Sequence, residues 1–190
     1  MASLGPMVSG YTLLLTKQHH SCCAAIPEDQ LPEFTRLVDA IRSAQVTTYG
    51  SSLSFEHGRT GSCVTTGHGD DACFHAHLHF VPTSADLATE VRKDYPLHPL
   101  PDWSALLKTY SLDGAPYLLV QNGEELEYVA APDRLPRQYL RTTLARLLGM
   151  SPLEDWMAFP SYDLVRTSVA EMSEALRATL PPTAGPGDPA

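Results

Sequence analysis

Hydrophobic and polar positions follow two different periods in the first half of the chain. The short apolar run YTLLLT, residues 11–16, precedes polar residues and predicts a strand. From residue 28 to about residue 45, apolar residues recur every three or four positions, which predicts a helix with one buried face. Residues 51–55 predict a second strand, and the glycine-rich residues 58–69 predict a loop. The run FHAHLHFVP, residues 74–82, alternates strictly and predicts a third strand that ends at its proline.

The second half of the chain predicts a hairpin and two further helices. Residues 94–102 contain three prolines and predict a connector. Within residues 116–130, Asn122-Gly123 lies between two apolar runs, which is the sequence cue for a tight hairpin turn. Residues 135–148 and 162–180 have the apolar period of helices.

The composition is that of an ordinary globular chain with an acidic balance. A length of 190 residues suits one domain, or one domain with an elaboration, and 43% hydrophobic residues can build a sizeable core. The formal net charge of −9 argues against a nucleic acid polymer or an anionic membrane as partner, because such partners need clustered Lys and Arg. A single nucleotide is compatible with this charge, since a few local donors can hold it.

Cysteine usage and the first residues of the chain predict a cytoplasmic setting. None of the four cysteines forms a CxxC pair, and a chain of this length does not need disulfides for stability. The N-terminal residues contain neither a basic stretch nor a long apolar run. We therefore expect no secretory signal and no membrane span.

The alternation in FHAHLHFVP gathers three imidazoles on one face of a strand. Successive side chains of a strand point to opposite faces, so His75, His77 and His79 share one face, about 7 Å apart, and the apolar residues between them share the other. An imidazole can act as acid, base, nucleophile or metal ligand near neutral pH. Because charge on one ring disfavours charge on the next, at least one ring should stay neutral and nucleophilic. This favours covalent chemistry at an electrophilic centre such as phosphorus.

Two other interpretations of the three histidines stay open. They could be solvated side chains on a half-buried strand. They could also bind zinc, since histidines on the same face of a strand can chelate a metal. The companion ligands for zinc would then be Cys63, His68 and Cys73, whose spacing is irregular.

Two segments resemble the histidine triad (HIT) family of nucleotide hydrolases and transferases. The run HAHLHFV, residues 75–81, matches the family signature of His-x-His-x-His followed by two apolar residues. The stretch GYTLLLTKQHHSCCAAIPEDQL, residues 10–31, is similar to the family's strand, Lys-x-His turn and Pro-Glu helix start. The resemblance covers roughly residues 10–82. It makes His19, rather than the adjacent His20, the counterpart of a fourth active-site histidine.

The resemblance implies an α+β fold with a small antiparallel sheet and a long helix. Residues 1–100 would form the HIT-like catalytic core. Residues 101–180, with the hairpin and the later helices, would form a C-terminal extension packed on that core. The Pro- and Gly-rich residues 181–190 predict a disordered tail.

The resemblance also implies a reaction and a role for each histidine. His77 would attack the α-phosphate of a nucleotide conjugate and form a nucleotidyl-histidine intermediate, which water or another acceptor then releases. His79 would bond the phosphate oxygens or the departing group, His75 would orient His77 with its backbone carbonyl, and His19 would add a donor. The scheme needs no metal and no cofactor. The expected partner is a nucleotide-type small molecule, and a homodimer is a further expectation because family members often dimerise.

Four other polar residues are candidates for the site. Glu56-His57-Gly58 occupies the position where many relatives have an asparagine-containing turn, so Glu56 and His57 are candidate substrate-binding residues. Glu56 would either hold a histidine tautomer or be a solvated loop acid. Arg137 and Arg141, one helical turn apart, would either reach a phosphate or lie on a solvated helix face.

The two tryptophans and the short segment before Gly10 bear on how a nucleoside could bind. Trp103 and Trp156 are interpreted as core residues rather than as stacking platforms for a base. Only nine residues precede Gly10, fewer than the family usually has before this strand. A nucleotide-binding or sensing module with weak catalysis is therefore the main alternative to an enzyme, and a zinc-dependent hydrolase is another.

Overall fold

The computed structural model describes residues 1–59, 75–130, 135–136 and 138–180. The predicted loop at residues 58–69 and the predicted tail at 181–190 therefore lie almost entirely outside the described residues. The strands are β1 (Thr12–Leu15), β2 (Leu53–Gly58), β3 (His77–Val81), β4 (His98–Leu100), β5 (Tyr117–Asn122) and β6 (Glu125–Ala130). The helices are α1 (Leu31–Tyr49), α2 (Leu87–Val91), α3 (Trp103–Asp113), α4 (Tyr139–Leu147) and α5 (Tyr162–Thr179), with short 3₁₀ turns at Cys23–Ala25, Glu28–Gln30 and Ser151–Glu154.

The described strands form one antiparallel sheet in the order β1-β3-β2-β5-β6-β4. The fold is α+β, as expected. The β5–β6 hairpin joins the sheet through β2, where six residue pairs from Leu53↔Asn122 to Gly58↔Tyr117 are in register. The sheet therefore continues without a break across residue 100. At its other edge, Ala2 bridges to Thr12 of β1.

Each face of the sheet carries its own apolar cluster. On one face, Leu78 and Phe80 of β3 pack with residues of α1 and α3, including Phe34 and Trp103. On the other face, Phe55 of β2 packs among residues that come mainly from α2, α4 and the N-terminal segment: Met7, Tyr11, Leu87, Leu140 and Leu144. The sheet is thus covered on both sides, and the histidine side of β3 faces the second cluster.

The first helix and the hairpin agree with their sequence signals. The helix predicted from residue 28 begins with a 3₁₀ turn and continues as α1 to Tyr49, where Gly50 takes a left-handed conformation with φ of 85°. The hairpin turns at Asn122-Gly123, as predicted, and Gly123 has a φ of 57°. Of the two late helices, α4 begins at Tyr139 rather than at residue 135, and α5 ends one residue short of its predicted end.

The connector prediction for residues 94–102 is wrong in part. This stretch contains β4, a three-residue edge strand paired with β6. Pro99 is compatible with it because an edge strand has a side that needs no ladder hydrogen bond. The helices α2 and α3 were not predicted. No helix in the described ranges is long and apolar enough to cross a membrane.

Candidate active site

The histidine strand presents two alternating faces, as its sequence predicts. Leu78 and Phe80 are fully buried in the cluster on the α1 side, whereas His77 and His79 are half-buried on the opposite face. His75 lies two residues before the start of β3 and is also half-buried. The interpretation of the histidines as solvated side chains does not fit this arrangement, because α2, α4 and the N-terminal segment pack on that face of the sheet.

Backbone carbonyls fix the tautomers of His75 and His77. Nδ1 of His75 lies 2.9 Å from the carbonyl oxygen of Thr16, and Nδ1 of His77 lies 3.1 Å from the carbonyl oxygen of His75. A carbonyl oxygen can only accept, so Nδ1 carries the hydrogen in both rings. The neutral ring of each then has its lone pair on Nε2. The hydrogen bond from His77 to the His75 carbonyl is the contact that the sequence resemblance implies.

His79 lies beside His77 in an aromatic environment. Its ring is stacked on Phe55 with centroids 4.7 Å apart, and the His77 ring centroid is 5.1 Å away. Nδ1 of His79 shares a 2.8 Å hydrogen bond with the Tyr11 hydroxyl. Burial holds the pKa of His79 well below its ordinary value, and electrostatic interactions with His77, His57 and Arg141 lower it further. His79 is therefore neutral at physiological pH.

His19, not His20, lies against the triad. The edge of the His19 ring meets the His75 ring at 87°, with centroids 4.5 Å apart. The His20 ring instead has Nε2 3.4 Å from Oε1 of Gln18. The structure thus brings together the four histidines that the sequence singled out, in the row His19, His75, His77 and His79.

His57 shares the histidine face but belongs to β2. Its Nε2 accepts a 2.9 Å hydrogen bond from the backbone N–H of Leu140, in the first turn of α4. Because a backbone N–H can only donate, Nε2 carries the lone pair and the neutral ring carries its hydrogen on Nδ1. Burial, and secondarily the nearby His77, lower the pKa of His57 to about 3.

Glu56 lies on the opposite face of the sheet, away from the histidines. Its Oε1 accepts from the Cys23 backbone N–H at 2.7 Å, and its Oε2 accepts from the Tyr117 hydroxyl at 2.6 Å. The residue is 2% exposed, and burial raises the pKa of its carboxyl group. Both interpretations from the sequence are therefore wrong: Glu56 is not solvated, and its hydrogen bonds in the described residues include no histidine. It links the turn at Cys23–Ala25 to β5.

A cavity of about 170 Å³ adjoins His57 and His79. Its described lining combines polar and apolar side chains from the N-terminal segment, the sheet and the region from Gln138 to Trp156: Ser3, Leu4, Leu13, His57, His79, Gln138, Arg141 and Trp156. The later part of the chain thus contributes directly to the histidine face.

Arg141 is buried at this cavity, at 4% exposure. Its Nε donates to the carbonyl oxygen of Glu154 at 2.9 Å, and its Nη2 donates to those of Leu153, at 2.8 Å, and Gly5. The prediction of a solvated helix face is wrong for Arg141, while Arg137 lies outside the described residues. The reason is tertiary, because Gly5 is 136 residues away along the chain.

The two tryptophans differ in their surroundings. Trp103 is buried against Phe34, with ring centroids 4.9 Å apart, and is a core residue as predicted. Trp156 is half-buried and lines the cavity. With the Gln138 amide oriented to satisfy both of its neighbours, Gln138 donates to the Glu154 carbonyl oxygen at 3.0 Å and accepts from Nε1 of Trp156 at 3.3 Å.

Tyr11 is a site residue that the sequence interpretation missed. It precedes Leu13 by two positions, and Leu13 pairs with His79. Strand alternation carried back from Leu13 places Tyr11 on the histidine face. This signal was available from the pattern once the pairing of the first strand with the histidine strand was assumed.

Comparison with known proteins adds nothing to the resemblance between the two sequence segments and the HIT family. No protein-family model matches the chain, and no curated protein matches it. Within the described ranges, no group of three or more His, Cys, Asp or Glu residues is arranged to hold a metal ion. Cys63, His68 and Cys73, the companion ligands considered for zinc, lie outside those ranges.

Proposed function

We propose that this protein is a HIT-type nucleotide hydrolase or nucleotidyl transferase that acts at the α-phosphate of a nucleotide conjugate. The observation that carries this proposal is the geometry of His77. Its Nδ1–H donates to the His75 carbonyl at 3.1 Å, so the lone pair of the neutral ring is on Nε2, the atom that would attack phosphorus. The neighbouring ring of His79 is neutral, so it places no positive charge beside the nucleophile.

The proposed reaction has two displacement steps. In the first, the Nε2 lone pair of His77 attacks phosphorus and a P–N bond forms. The bond from phosphorus to the leaving group breaks, and the leaving group departs with the electron pair and takes up a proton. In the second step the oxygen of water attacks phosphorus, the P–N bond returns its electrons to Nε2, and the water gives up a proton. The product is a nucleoside monophosphate, and an acceptor other than water would give transfer instead.

Neighbouring groups have the geometry to assist these steps. If the Tyr11 hydroxyl donates to Nδ1 of His79 across their 2.8 Å contact, His79 carries its hydrogen on Nε2 and can donate to a phosphate oxygen. His19 lies against His75, and we expect its imidazole to add a donor for the transferred group. No step of this scheme passes through Glu56, which lies on the other face of the sheet.

The arrangement of strands supports the HIT-like part of the proposal. The strand of the GYTLLLTK segment, β1, pairs antiparallel with the histidine strand β3, and β3 pairs antiparallel with β2. The long helix α1 connects β1 to β2. The order of elements that the resemblance implies is thus compatible with the sheet. A nucleotide-type substrate, a homodimer and a cytoplasmic location remain predictions.

The test is a substrate panel combined with a search for the covalent intermediate. The purified protein would be incubated with nucleoside 5′-phosphoramidates, dinucleoside polyphosphates and nucleotide sugars, and release of nucleoside monophosphate would be followed. We expect His77→Ala to abolish turnover without unfolding the protein, because the ring faces the site rather than the core. His77→Gly with added imidazole should recover part of the activity.

His20→Ala is the matched control, because His20 adjoins the site and its ring contacts Gln18. It should keep most of the activity. Intact mass after a rapid quench should reveal a nucleotidyl adduct in the wild type and none in His77→Ala. Unchanged turnover in a folded His77→Ala protein would remove His77 as the nucleophile.

The same panel separates the alternatives. Nucleotide binding without turnover and without an adduct would indicate a binding or sensing module. Stoichiometric zinc in the purified protein, together with loss of activity on chelation, would indicate a zinc-dependent hydrolase. Under our proposal, chelation leaves the rate unchanged.

A further inference from the structure

The cavity beside His79 has a positive charge in its described lining, and this charge contacts an aromatic ring: Cζ of Arg141 lies 5.5 Å from the centroid of the Tyr11 ring. Arg141 is the one charged side chain among the described residues that line it. Its described hydrogen bonds go to the carbonyl oxygens of Gly5, Leu153 and Glu154, and no carboxylate of the described residues pairs with it. Carbonyl oxygens satisfy N–H groups but leave the net charge of the guanidinium in place, and buried charges in proteins are normally paired.

The guanidinium of Arg141 also keeps donor capacity. Nε and Nη2 make all of the hydrogen bonds that the described residues offer to this side chain, so Nη1 has no hydrogen-bond partner among them. The field of Arg141 reaches the histidines, because its charge is one of the causes that lower the pKa of His79. An anion in the cavity would supply the missing charge and acceptors.

His57 adds a neutral donor to the same cavity. Its Nε2 is occupied by the Leu140 N–H at 2.9 Å, which leaves its hydrogen on Nδ1. Nδ1 has no hydrogen-bond partner among the described residues, and the ring lines the cavity. The described lining thus combines a cationic donor with an imidazole N–H and contains no carboxylate.

The volume restricts the occupant to a small group. Pockets for drug-sized ligands usually measure about 300–1,000 Å³, whereas this cavity has about 170 Å³. A whole nucleoside conjugate would not fit, but one tetrahedral oxyanion would. Leu4, Leu13 and Trp156 help to make most of the wall apolar, so Arg141 and His57 are two local polar groups in it.

We propose that this cavity is an anion-binding subsite that takes one phosphate-type group, held by Arg141 and by Nδ1–H of His57. Anion binding here does not depend on the reaction. The position of the subsite in a substrate does rest on the proposed function: since His77 lies next to His79, the occupant would be the group attached to the phosphate that His77 attacks. A free phosphate acting as an effector would have the same chemistry, and the experiment below separates the two sources.

The experiment uses inorganic phosphate and pyrophosphate as probes, titrated calorimetrically into the full-length protein at constant ionic strength. We expect saturable binding to the wild type. Arg141→Gln should weaken it by at least about tenfold, since a lost charge-assisted contact is worth that much or more, and Arg141→Lys should weaken it less. Arg166→Gln is the control, because Arg166 is exposed on α5 and pairs with Asp163; this variant should bind like the wild type.

A second variant covers the case in which Arg141→Gln fails to fold through loss of its three carbonyl contacts. Leu4 lines the cavity but is 43% exposed, so Leu4→Trp can fill the cavity without straining a buried core. It should weaken phosphate binding by at least about tenfold. Absence of binding to the wild type at about 10 mM probe, the weak end of specific affinity, would overturn the proposal. So would unchanged affinity in folded Arg141→Gln or in Leu4→Trp.

Two further arms relate the subsite to the reaction. His77→Asn lacks the proposed nucleophile but keeps the described lining of the cavity, so it should bind phosphate as the wild type does. Phosphate binding in a protein without turnover would therefore show that the proposed function fails while the subsite stands. If the wild type is active, phosphate is also tested as an inhibitor. Inhibition that is competitive with substrate would mean that part of the substrate occupies the subsite. Non-competitive inhibition assigns it to a separate effector and overturns the positional part of the proposal.

Discussion

The imidazoles of His57 and His79 lie on one face of the sheet, and burial holds both in the neutral form. For His57 the pKa falls to about 3, and for His79 it falls well below the ordinary value. A neutral ring presents a donor at one nitrogen and a lone pair at the other, whereas a protonated ring has two donors and no lone pair. Because folding lowers these pKa values, protonation of the two rings in acid favours the unfolded chain.

We predict that His57 makes the protein less stable as the pH falls below about 6.5. The unfolded chain takes up a proton at this residue near pH 6.5, whereas the folded protein does not until about pH 3. The folded pKa is lowered, so the free energy of unfolding should be flat above about pH 6.5 and should fall by about 1.4 kcal/mol per pH unit below it on account of this residue. Urea unfolding between about pH 4.5 and 7.5 measures the slope.

His57→Gln is the comparison, because the Gln carbonyl oxygen can still accept from the Leu140 N–H. The variant should lose stability less steeply with falling pH than the wild type does. Glu56, whose pKa is raised, acts with the opposite sign: its contribution is lost as the pH rises above its unfolded value. Because Glu56 is the same in both proteins, it cancels in the difference. Equal slopes in the two proteins would rule out a neutral, buried His57.

At the scale of elements, the sequence predicts a strand or helix well where its apolar period and its end signals indicate the same element. The alternation of HAHLH predicted the two faces of β3, and the apolar period predicted α1. Signals for α3 were also present and were missed: Asp102 accepts a capping hydrogen bond from the Ala105 N–H at 2.8 Å, and Gly114 ends the helix with φ of 63°. The three prolines of residues 94–102 are typical of a connector, and they obscure this helix start.

Other features depend on pairing between distant segments and could not be predicted locally. The edge strand β4 has three residues, one of them Pro99, and it exists because β6 offers a partner. For the site, the sequence predicted the four aligned histidines, but the direction of Glu56 depended on β2, which continues to Gly58 rather than ending at residue 55. The burial of Arg141 depended on carbonyls of Gly5, Leu153 and Glu154, which no period in α4 reveals.

The turn between β5 and β6 gives a prediction at this scale. Gly123 has a φ of 57°, and a Cβ added to it would meet nothing within 4 Å. The cost of Gly123→Ala should therefore be conformational alone, about 1–2 kcal/mol in the free energy of unfolding. Gly123→Asn should cost less, because Asn tolerates the left-handed region. Urea unfolding of the three proteins tests this, and equal stability of the Gly and Ala proteins would contradict it.

At the scale of the whole molecule, residues beyond 100 complete both the sheet and the histidine face. β2 lies between β3 and β5 and pairs with β5 over its full length. Removing β5 would turn β2 into an open edge and expose the apolar residues that pack there. The same removal takes away the N–H of Leu140 from His57 and the guanidinium of Arg141 from the cavity.

We therefore predict that a fragment ending at Leu100 aggregates or binds no substrate, because it keeps the histidine triad but loses the partner strand and the cover of its site. A chain ending at Leu180 is the matched control, since it keeps every described element, and it should equal the full-length protein in stability and in binding. Size-exclusion chromatography, thermal unfolding and nucleotide binding compare the three proteins. A monodisperse, fully active fragment ending at Leu100 would mean that the later residues are an independent appendage. In that case Arg141 and the helix α4 would have no part in the site.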